Sequence, residues 1–424
     1  MHDLKLLRER PDALAAGMAR RGKGDVHAPA LARAAALEAE RRRLIVAADE
    51  RKAARNAVTA EVAALKKARQ DAEAPMARSR ALGEEIAALE AELAALEAAL
   101  GDLLLGLPNL VVDEVPAGDE TANAVVKSWG TPRPADEAYP HWVIAETLGL
   151  LDLPRGAKVA GSGFVAFRGV GARLVRGLMQ FMLDLHTREH GYEEVWVPFV
   201  VNRQAMIGTG QLPKFEDDMY AVPGEGLFLA PTAEVPVTNL HRDELIDAGD
   251  LPRALCAYTP CFRREAGAAG KDTRGLLRLH QFDKVELVRY ETPETARAAL
   301  EALTRHAETV LERLELPYRR VLLAAGDTGF ASAMTWDLEV WSPGTNKWLE
   351  VSSCSWFTDF QARRMNLRYR PAPGEKPRFV HTLNGSGLAF PRTIAALLEH
   401  HRQPDGRVRV PDALRSYLGA DHLG

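Results

Sequence analysis

The stretch "FRREAGAAGKDTRGLLRLHQFDKVEL", Phe262–Leu287, sets two stiff, strand-like pieces on either side of a run rich in glycine and positive charge. Side chains alternate faces along an extended strand, so Arg263 and Glu265 are expected to share one face while Phe262 and Arg264 point the other way. By the same rule Phe282, Lys284 and Glu286 share a face of the second piece. With "AGAAGKDTRGLL" as the loop of a hairpin, one sheet face then offers a guanidinium, carboxylates and an aromatic ring. That face suits a purine stacked on Phe282, a phosphate or carboxylate forked by Arg263, and a hydroxyl or amine held by Glu286. A surface hairpin whose charges pair across strands has the same composition, so the rest of the chain must discriminate.

Outward from the hairpin, "GLFLAP", "TWDLEVW" and "WLEVSSCS" read as further strands, and hairpin-length gaps predict an antiparallel sheet with flanking helices. "GARLVRGLMQFMLDLHTREHGYEEVWVP" reads as an amphipathic helix with Leu174, Leu178, Met182 and Leu185 on one face, ended by Gly191, then a strand to Pro198. "TPETARAALEALTRHAETVLERLEL" reads as a helix opened by a Thr/Glu capping signal. Neither a Gly-x-Gly-x-x-Gly after a strand nor a Gly-Lys-Ser/Thr loop occurs, which argues against Rossmann and P-loop nucleotide sites.

Composition changes abruptly near residue 105. Before it the chain is rich in Ala, Glu, Leu, Arg and Lys, and Leu82, Ile86, Leu89, Leu93, Leu96, Leu100 and Leu103 alternate steps of four and three. That is a sustained heptad seam. Leu37, Leu44, Val58 and Leu65 keep a seven-residue beat that Arg51 breaks, and Pro75 is expected to separate the two halves. The pattern predicts an antiparallel coiled-coil hairpin, roughly 55–60 Å long at 1.5 Å per residue. Its charges are segregated. Arg41, Arg42, Arg43, Arg51, Lys52, Arg55, Lys66, Lys67 and Arg69 lie on the outgoing helix, and Glu84, Glu85, Glu90, Glu92 and Glu97 on the returning one. Interhelical salt bridging and a phosphate-tracking stripe both fit that segregation.

The 424 residues allow two or three domains, and a net charge of -4 leaves any nucleic-acid role to a local patch. Three cysteines without a CxxC pair suit a reducing compartment and no structural zinc. No apolar run reaches membrane-span length and the start lacks an apolar signal region, so a cytoplasmic location is expected.

"CFRREAG…DTRGLLRLHQFDKVEL" resembles motif 2 of class II aminoacyl-tRNA synthetases, in the form carried by bacterial-type seryl-tRNA synthetases. "TGQLPKF" and "PTAEVP" resemble that family's serine-pocket segments, "EVSSCS" and "DFQARRMNLRYR" its ATP-site strand and the run after it. "LNGSGLAFPRTIAALLEHH" resembles motif 3, and the helix and strand ending at Pro198 resemble motif 1, the family's dimer element. With the N-terminal hairpin, the resemblance covers essentially the whole chain.

The resemblance implies an α+β architecture. Residues 1–108 would form a tRNA-binding domain whose coiled-coil arm spans about 28–105. Residues 109–424 would form the class II antiparallel β-sheet catalytic domain with flanking helices, with motif 1 at about 171–198, motif 2 at about 258–287 and motif 3 at about 383–402. It implies activation of L-serine with ATP and Mg2+, transfer of serine to tRNA(Ser), charging of tRNA(Sec) where the host has one, and a homodimer. By resemblance Arg263 bridges the serine carboxylate and the α-phosphate, and Arg392 grips the γ-phosphate. Glu265 would read the adenine amino group, with Arg264 beside it, and Phe282 would stack under the ring, with Leu279, His280 and Gln281 lining the approach. Glu350 and Ser353 would hold magnesium, and Val351 and Ser352 would supply backbone contacts. Thr232, Ala233 and Glu234 would surround the serine ammonium, and Glu286, helped by Ser386 and Asn384, its hydroxyl. Arg41, Arg43, Arg51, Lys52, Arg55 and Lys66 are the expected tRNA contacts.

Two places depart from the family's pattern. Gly163 stands where arginine is frequent, and Trp356 and Phe357 stand where smaller or thiol residues are common. Two other readings are weighed: an amino acid–carrier-protein ligase of the same fold, whose members generally lack the arm, and a non-catalytic relative, in which Arg263, Glu265, Glu350 or Arg392 would be eroded.

Overall fold

The computed structural model describes residues 1–266 and 274–424, so residues 267–273 of the expected hairpin loop lie outside the described residues. The chain divides into two compact units, Met1–Pro108 and Asn109–Gly424.

In the first unit two short helices, Leu4–Glu9 and Pro11–Arg20, precede helices Gly24–Lys67 and Glu73–Leu105. At 1.5 Å per residue the long helices run to about 65 and 50 Å. The heptad positions close the seam: Leu37, Leu44, Val58, Ile86 and Leu100 are buried, and Leu82, Leu89, Leu93, Leu96 and Leu103 half-buried. Cross-pairs set the direction, because Arg41, Arg51 and Glu61 meet Glu97, Glu85 and Arg78 in reverse order. The helices are antiparallel. Arg51, the odd step in the beat, leaves the seam to reach Glu85 at 2.7 Å. Pro75 does not make the break: the first helix has already ended at Lys67, and Pro75 sits in the first turn of the second, where a missing N–H costs nothing.

The second unit is built on an eight-stranded sheet among the described residues. Its strands are β1 (Ala124–Trp129), β2 (Glu193–Glu194), β3 (Arg253–Phe262), β4 (Gln281–Glu291), β5 (Tyr318–Leu322), β6 (Met334–Ser342), β7 (Lys347–Trp356) and β8 (His381–Ala389). They lie in the order β1-β5-β6-β7-β8-β4-β3-β2, antiparallel throughout except for the β2–β3 pair. Helices Val170–Arg188 and Ala296–Arg313 pack into one apolar core with it, through Leu174, Leu178, Met182 and Leu185 on the first and Leu300, Leu303 and Val310 on the second.

Local details differ from the sequence expectations. The strand after Gly191 is only Glu193–Glu194, extended toward Pro198 by one bond from Val195 N to Cys256 O. Thr295 at the N-cap of the Ala296–Arg313 helix makes no capping bond, because its hydroxyl donates to Glu291 instead. β3 ends at Phe262, so Arg263 and Glu265 leave the strand and strand alternation does not place them; Glu265 adopts φ 52°.

The three cysteines are buried and free, and burial pushes Cys256 and Cys354 up to about 12, as inert core thiols. Among the described residues no helix is long and apolar enough to cross a membrane.

Gly163 has a positional reason. It sits at φ +82°, its carbonyl accepts from His280 N at 2.9 Å, and a Cβ there would lie 2.1 Å from the His280 ring. His280 is stacked on Phe164 at 5.5 Å and bonds the Arg263 carbonyl at 3.0 Å, so it holds the end of the β3–β4 hairpin. Gly163→Ala is expected to lower stability in urea unfolding by about 1 kcal/mol or more, from the left-handed backbone and the clash together. An unchanged midpoint would show that the His280 packing is dispensable.

Candidate active site

Two clefts open side by side on one face of the sheet. The first, of ≈ 200 Å³, is lined by Arg263, Glu265, Leu276–Leu279, Phe282, Lys284, Glu350, Val351, Ser386, Ala389, Pro391 and Arg392. The second, of ≈ 270 Å³, includes Thr209, Gln211, Thr232, Glu234, Glu286, Phe330, Ser353 and Asn384 in its wall. Lys284, Glu350 and Ser386 line both, so the clefts are continuous.

β4 produces this continuity by its period of two. Phe282, Lys284 and Glu286 face the clefts, while Val285 and Leu287 go into the core. The neighbouring strand is irregular at the same level. Val285 pairs with Leu388 and Glu286 with Ser386, so Gly387 is the extra residue of a bulge, and Leu388 is buried at φ 136°. A bulge re-aims the side chains beside it, and here it brings Ser386 opposite Glu286.

In the first cleft the guanidinium of Arg263 lies 5.2 Å from the Phe282 ring centroid, and its Nε donates to Pro231 O at 3.3 Å. Arg392 donates from Nε to Leu277 O at 3.2 Å and from Nη1 to Glu350 O at 2.6 Å, with the Glu350 carboxylate at 3.5 Å. Glu265 is ion-paired with Arg278. Not every expected nucleotide residue reaches this space. Arg264 is exposed; His280 and Ser352 line neither cleft, the Ser352 hydroxyl donating to Ser386 O at 2.7 Å. Gln281 lines a separate ≈ 60 Å³ cavity shared with Leu279 and Phe282.

The second cleft is acidic at its base. Glu286 is 1% exposed and takes a 2.5 Å ion pair from Lys284 and a 3.2 Å hydrogen bond from Asn384 Nδ2. Lys284 also donates to Thr232 Oγ1 at 3.0 Å. Glu234 accepts from Gln361 Nε2 at 2.7 Å, and Gln361 is itself fixed by donating to Thr209 O and accepting from Thr382. Burial first, and the nearby Glu286 charge second, push the Glu234 carboxyl up to about 7 against the opposing Gln361 bond. Ala233 is buried beneath and lines neither cleft.

Glu350 and Ser353, on β7, present oxygen donors, and sequence reasoning missed a third. Asp337 pairs with Ser353 in the β6–β7 register, its buried Oδ1 has no hydrogen-bond partner among the described residues, and burial together with Glu350 raises its carboxyl well above the usual range. Lys284, Arg278 and Gln361 were also given no role from the sequence. Alternation did place Lys284 beside Phe282 and Glu286, whereas nothing local marks Arg278 or Gln361 as partners of Glu265 and Glu234.

Of the departures, the Trp356 indole donates to His381 at 3.2 Å, and the Phe357 carbonyl accepts from Asn109 at 2.8 Å. Phe357 lines the second cleft. On the arm, Arg41, Arg51 and Lys52 are cross-paired with Glu97, Glu85 and Glu90, and Arg43 pairs with Glu40. Arg55 and Lys66 make no ion pair among the described residues.

The family model of the seryl-tRNA synthetase N-terminal domain matches residues 1–111, and that of the tRNA synthetase class II core domain (G, H, P, S and T) matches residues 215–401. A serine–tRNA ligase of Gemmatimonas aurantiaca is 63% identical over 99% of both chains. The crystal structure of seryl-tRNA synthetase from Pyrococcus horikoshii complexed with ATP matches with TM-score 0.92 at 35% identity, covering 100% of this chain and 99% of that one. The cytoplasmic serine–tRNA ligase from Naegleria fowleri in complex with AMP matches with TM-score 0.87 at 28% identity, covering 100% of this chain and 98% of that one. Sequence likeness and shared architecture extend over both units, and the chain belongs to the seryl-tRNA synthetase family of class II aminoacyl-tRNA synthetases.

Proposed function

We infer that the protein is a cytoplasmic serine–tRNA ligase, which activates L-serine with ATP and passes it to the 3′ end of tRNA(Ser), and of tRNA(Sec) in a host that has one. The observation that carries this reading is the continuity of the two clefts: an arginine-rich cleft with an aromatic floor opens through Lys284 into an acidic one. In the first step the serine carboxylate oxygen attacks the α-phosphorus of ATP, the bond to the β-phosphate oxygen breaks, and pyrophosphate leaves. In the second a ribose hydroxyl of the tRNA terminus attacks the seryl carbonyl and AMP leaves.

Both reactants of the first step are anions, so positioned positive charge does more than a general base. Arg263, in the first cleft, takes the carboxylate and α-phosphate, and Arg392 the γ-phosphate and the departing pyrophosphate. Adenine stacks on Phe282 and its amino group meets Glu265. The serine ammonium goes to Thr232 and Glu234, and its hydroxyl to Glu286, Ser386 and Asn384. Loss of that hydroxyl would strand a buried carboxylate, which excludes alanine far better than lack of room excludes threonine's extra methyl. Glu350 and Ser353, with Asp337 behind them, make an all-oxygen donor set that fits magnesium, a hard cation. Bound there with the phosphates, magnesium would offset their charge.

The arm is the tRNA-contacting element. Its exposed cross-pairs are weak and a polyanion competes with them, while Arg55 and Lys66 are open to phosphates. The enzyme works as a homodimer through the motif 1 helix, Val170–Arg188, with the arm serving a tRNA on the partner subunit. The reading is tested by charging total tRNA with labelled serine, alanine and threonine in parallel. Serine-specific, ATP-dependent charging supports it, and exchange of pyrophosphate into ATP without charging of tRNA would redirect it to another acceptor.

Three outcomes follow from named residues. Glu286→Ala should raise the serine KM and cut turnover by orders of magnitude while leaving the ATP KM within a fewfold; unchanged serine kinetics would remove Glu286 from the pocket. Because the Glu234 carboxyl is raised to about 7, it is increasingly protonated below that pH, and an uncharged acid holds an ammonium poorly. The serine KM should therefore rise as pH falls from 8 to 6, and Glu234→Gln should flatten the profile. Replacing Arg55 and Lys66 with alanine should weaken tRNA binding and reduce the slope of log K against log salt by about 1 for each phosphate that is no longer neutralised, with pyrophosphate exchange unchanged.

A further inference from the structure

The wall of the first cleft is held from behind by a pair of buried side chains that line neither cleft. Leu276 and Leu277 form part of that wall, and Leu277 O receives the Arg392 Nε hydrogen bond. Leu276 N donates to His141 Nε2 at 3.0 Å in a buried setting. A backbone N–H can only donate, so Nε2 carries no proton and the imidazole proton is on Nδ1. Nδ1 in turn donates to Glu399 Oε1 at 2.8 Å, which also accepts from His141 N at 2.9 Å. The other oxygen, Oε2, accepts from Ser342 Oγ at 2.6 Å and Gly344 N at 3.0 Å. Both oxygens of Glu399 are thus satisfied. Burial pushes the Glu399 carboxyl up, and the bonds from His141 and Ser342 outweigh it, leaving the group below its ordinary range and charged.

Two further contacts dock the same stretch on the same helix, His141–Thr147. Gly275 packs so closely that a Cβ would lie 2.5 Å from His141 Nε2 and 2.9 Å from the Trp142 ring. The Arg274 guanidinium sits 4.8 Å from the centroid of that ring.

We propose that His141 and Glu399 are a positioning pair for adenylate formation: Glu399 fixes the tautomer and rotation of His141, and His141 Nε2 fixes Leu276–Leu277 and, through the Leu277 carbonyl, the guanidinium of Arg392. The proposal rests on the reading of the first cleft as the ATP site. Its effect is confined to the ATP side, because neither residue touches Thr232, Glu234 or Glu286. Displacing a phosphate-gripping group by about 1 Å costs on the order of 100-fold in rate when geometry limits the reaction.

The experiment is serine-dependent ATP–pyrophosphate exchange on the full chain, with KM and kcat determined for each substrate. His141→Phe, which removes the acceptor, is expected to lower kcat/KM for ATP by about 10- to 100-fold with the serine KM within twofold. His141→Gln, whose carbonyl can take the Leu276 N–H, is expected to recover most of the loss. Gly275→Ala perturbs the same contact from the loop side without altering a core residue, so it keeps the test decisive if His141→Phe does not fold. It should show the same ATP-selective loss. Wild-type ATP kinetics in Gly275→Ala or in folded His141→Phe would overturn the proposal, as would equal losses for serine and ATP that His141→Gln does not relieve. A wild-type chain without serine-dependent exchange would instead overturn the ATP–serine reading, and the proposal with it.

Discussion

Lys284 carries its ammonium to a place where Glu286 is already 1% exposed and Glu234 is 8% exposed. A carboxylate withdrawn from water costs several kcal/mol unless a counter-charge and hydrogen bonds accompany it. Lys284 supplies the counter-charge to Glu286, and Asn384 donates a hydrogen bond to it. Glu234, whose carboxylate is bonded by the Gln361 amide and has no ion pair among the described residues, is pushed by burial up to about 7. The unequal treatment of two neighbouring acids follows from where one buried cation sits. It sits there because β4 alternates, with Phe282 on one side of Lys284 facing the arginine-rich cleft and Glu286 on the other facing the acidic one.

A cleft that takes phosphates, as proposed for the first one, must hold arginines still without cancelling them. Backbone carbonyls do that, since they orient a guanidinium and carry no net charge. Arg263 is tethered by Pro231 O, and Arg392 by the carbonyls of Leu277 and Glu350. The Glu350 carboxylate stands farther from Arg392 than the Glu350 carbonyl does, so much of the charge is available to a ligand. Such preorganised groups need little rearrangement when charge develops. The same logic underlies the positioning role proposed for Glu399 and His141, because a carbonyl positions a guanidinium only if its own segment is fixed.

Some of this was legible residue by residue. The heptad beat from Leu82 to Leu103 specified a paired helix, because helical period and burial are both local consequences of spacing. The aromatic and β-branched runs specified strands, and alternation put Phe282, Lys284 and Glu286 on one face. Alternation failed at Arg263 and Glu265, which reach the cleft through a turn with Glu265 at positive φ. Pro75 reads as a breaker and is not one, since a proline in a helix's first turn loses no hydrogen bond.

The sequence alone determined the periodic parts: the arm, the strands, the segregation of charge, and the motif letters that point to a synthetase. Those follow from φ/ψ preferences and the repeat of side-chain direction, which each segment carries within itself. Only the tertiary structure decided which charges meet. Glu234 is bonded by Gln361 across 127 positions, His141 by Glu399 across 258, and Glu265 by Arg278 around the residues between the two strands. The bulge that turns Ser386 toward Glu286 likewise exists only as a relation between two strands. Pair energies depend on distance and local dielectric, and neither quantity is written along a chain until the sheet has closed over its core.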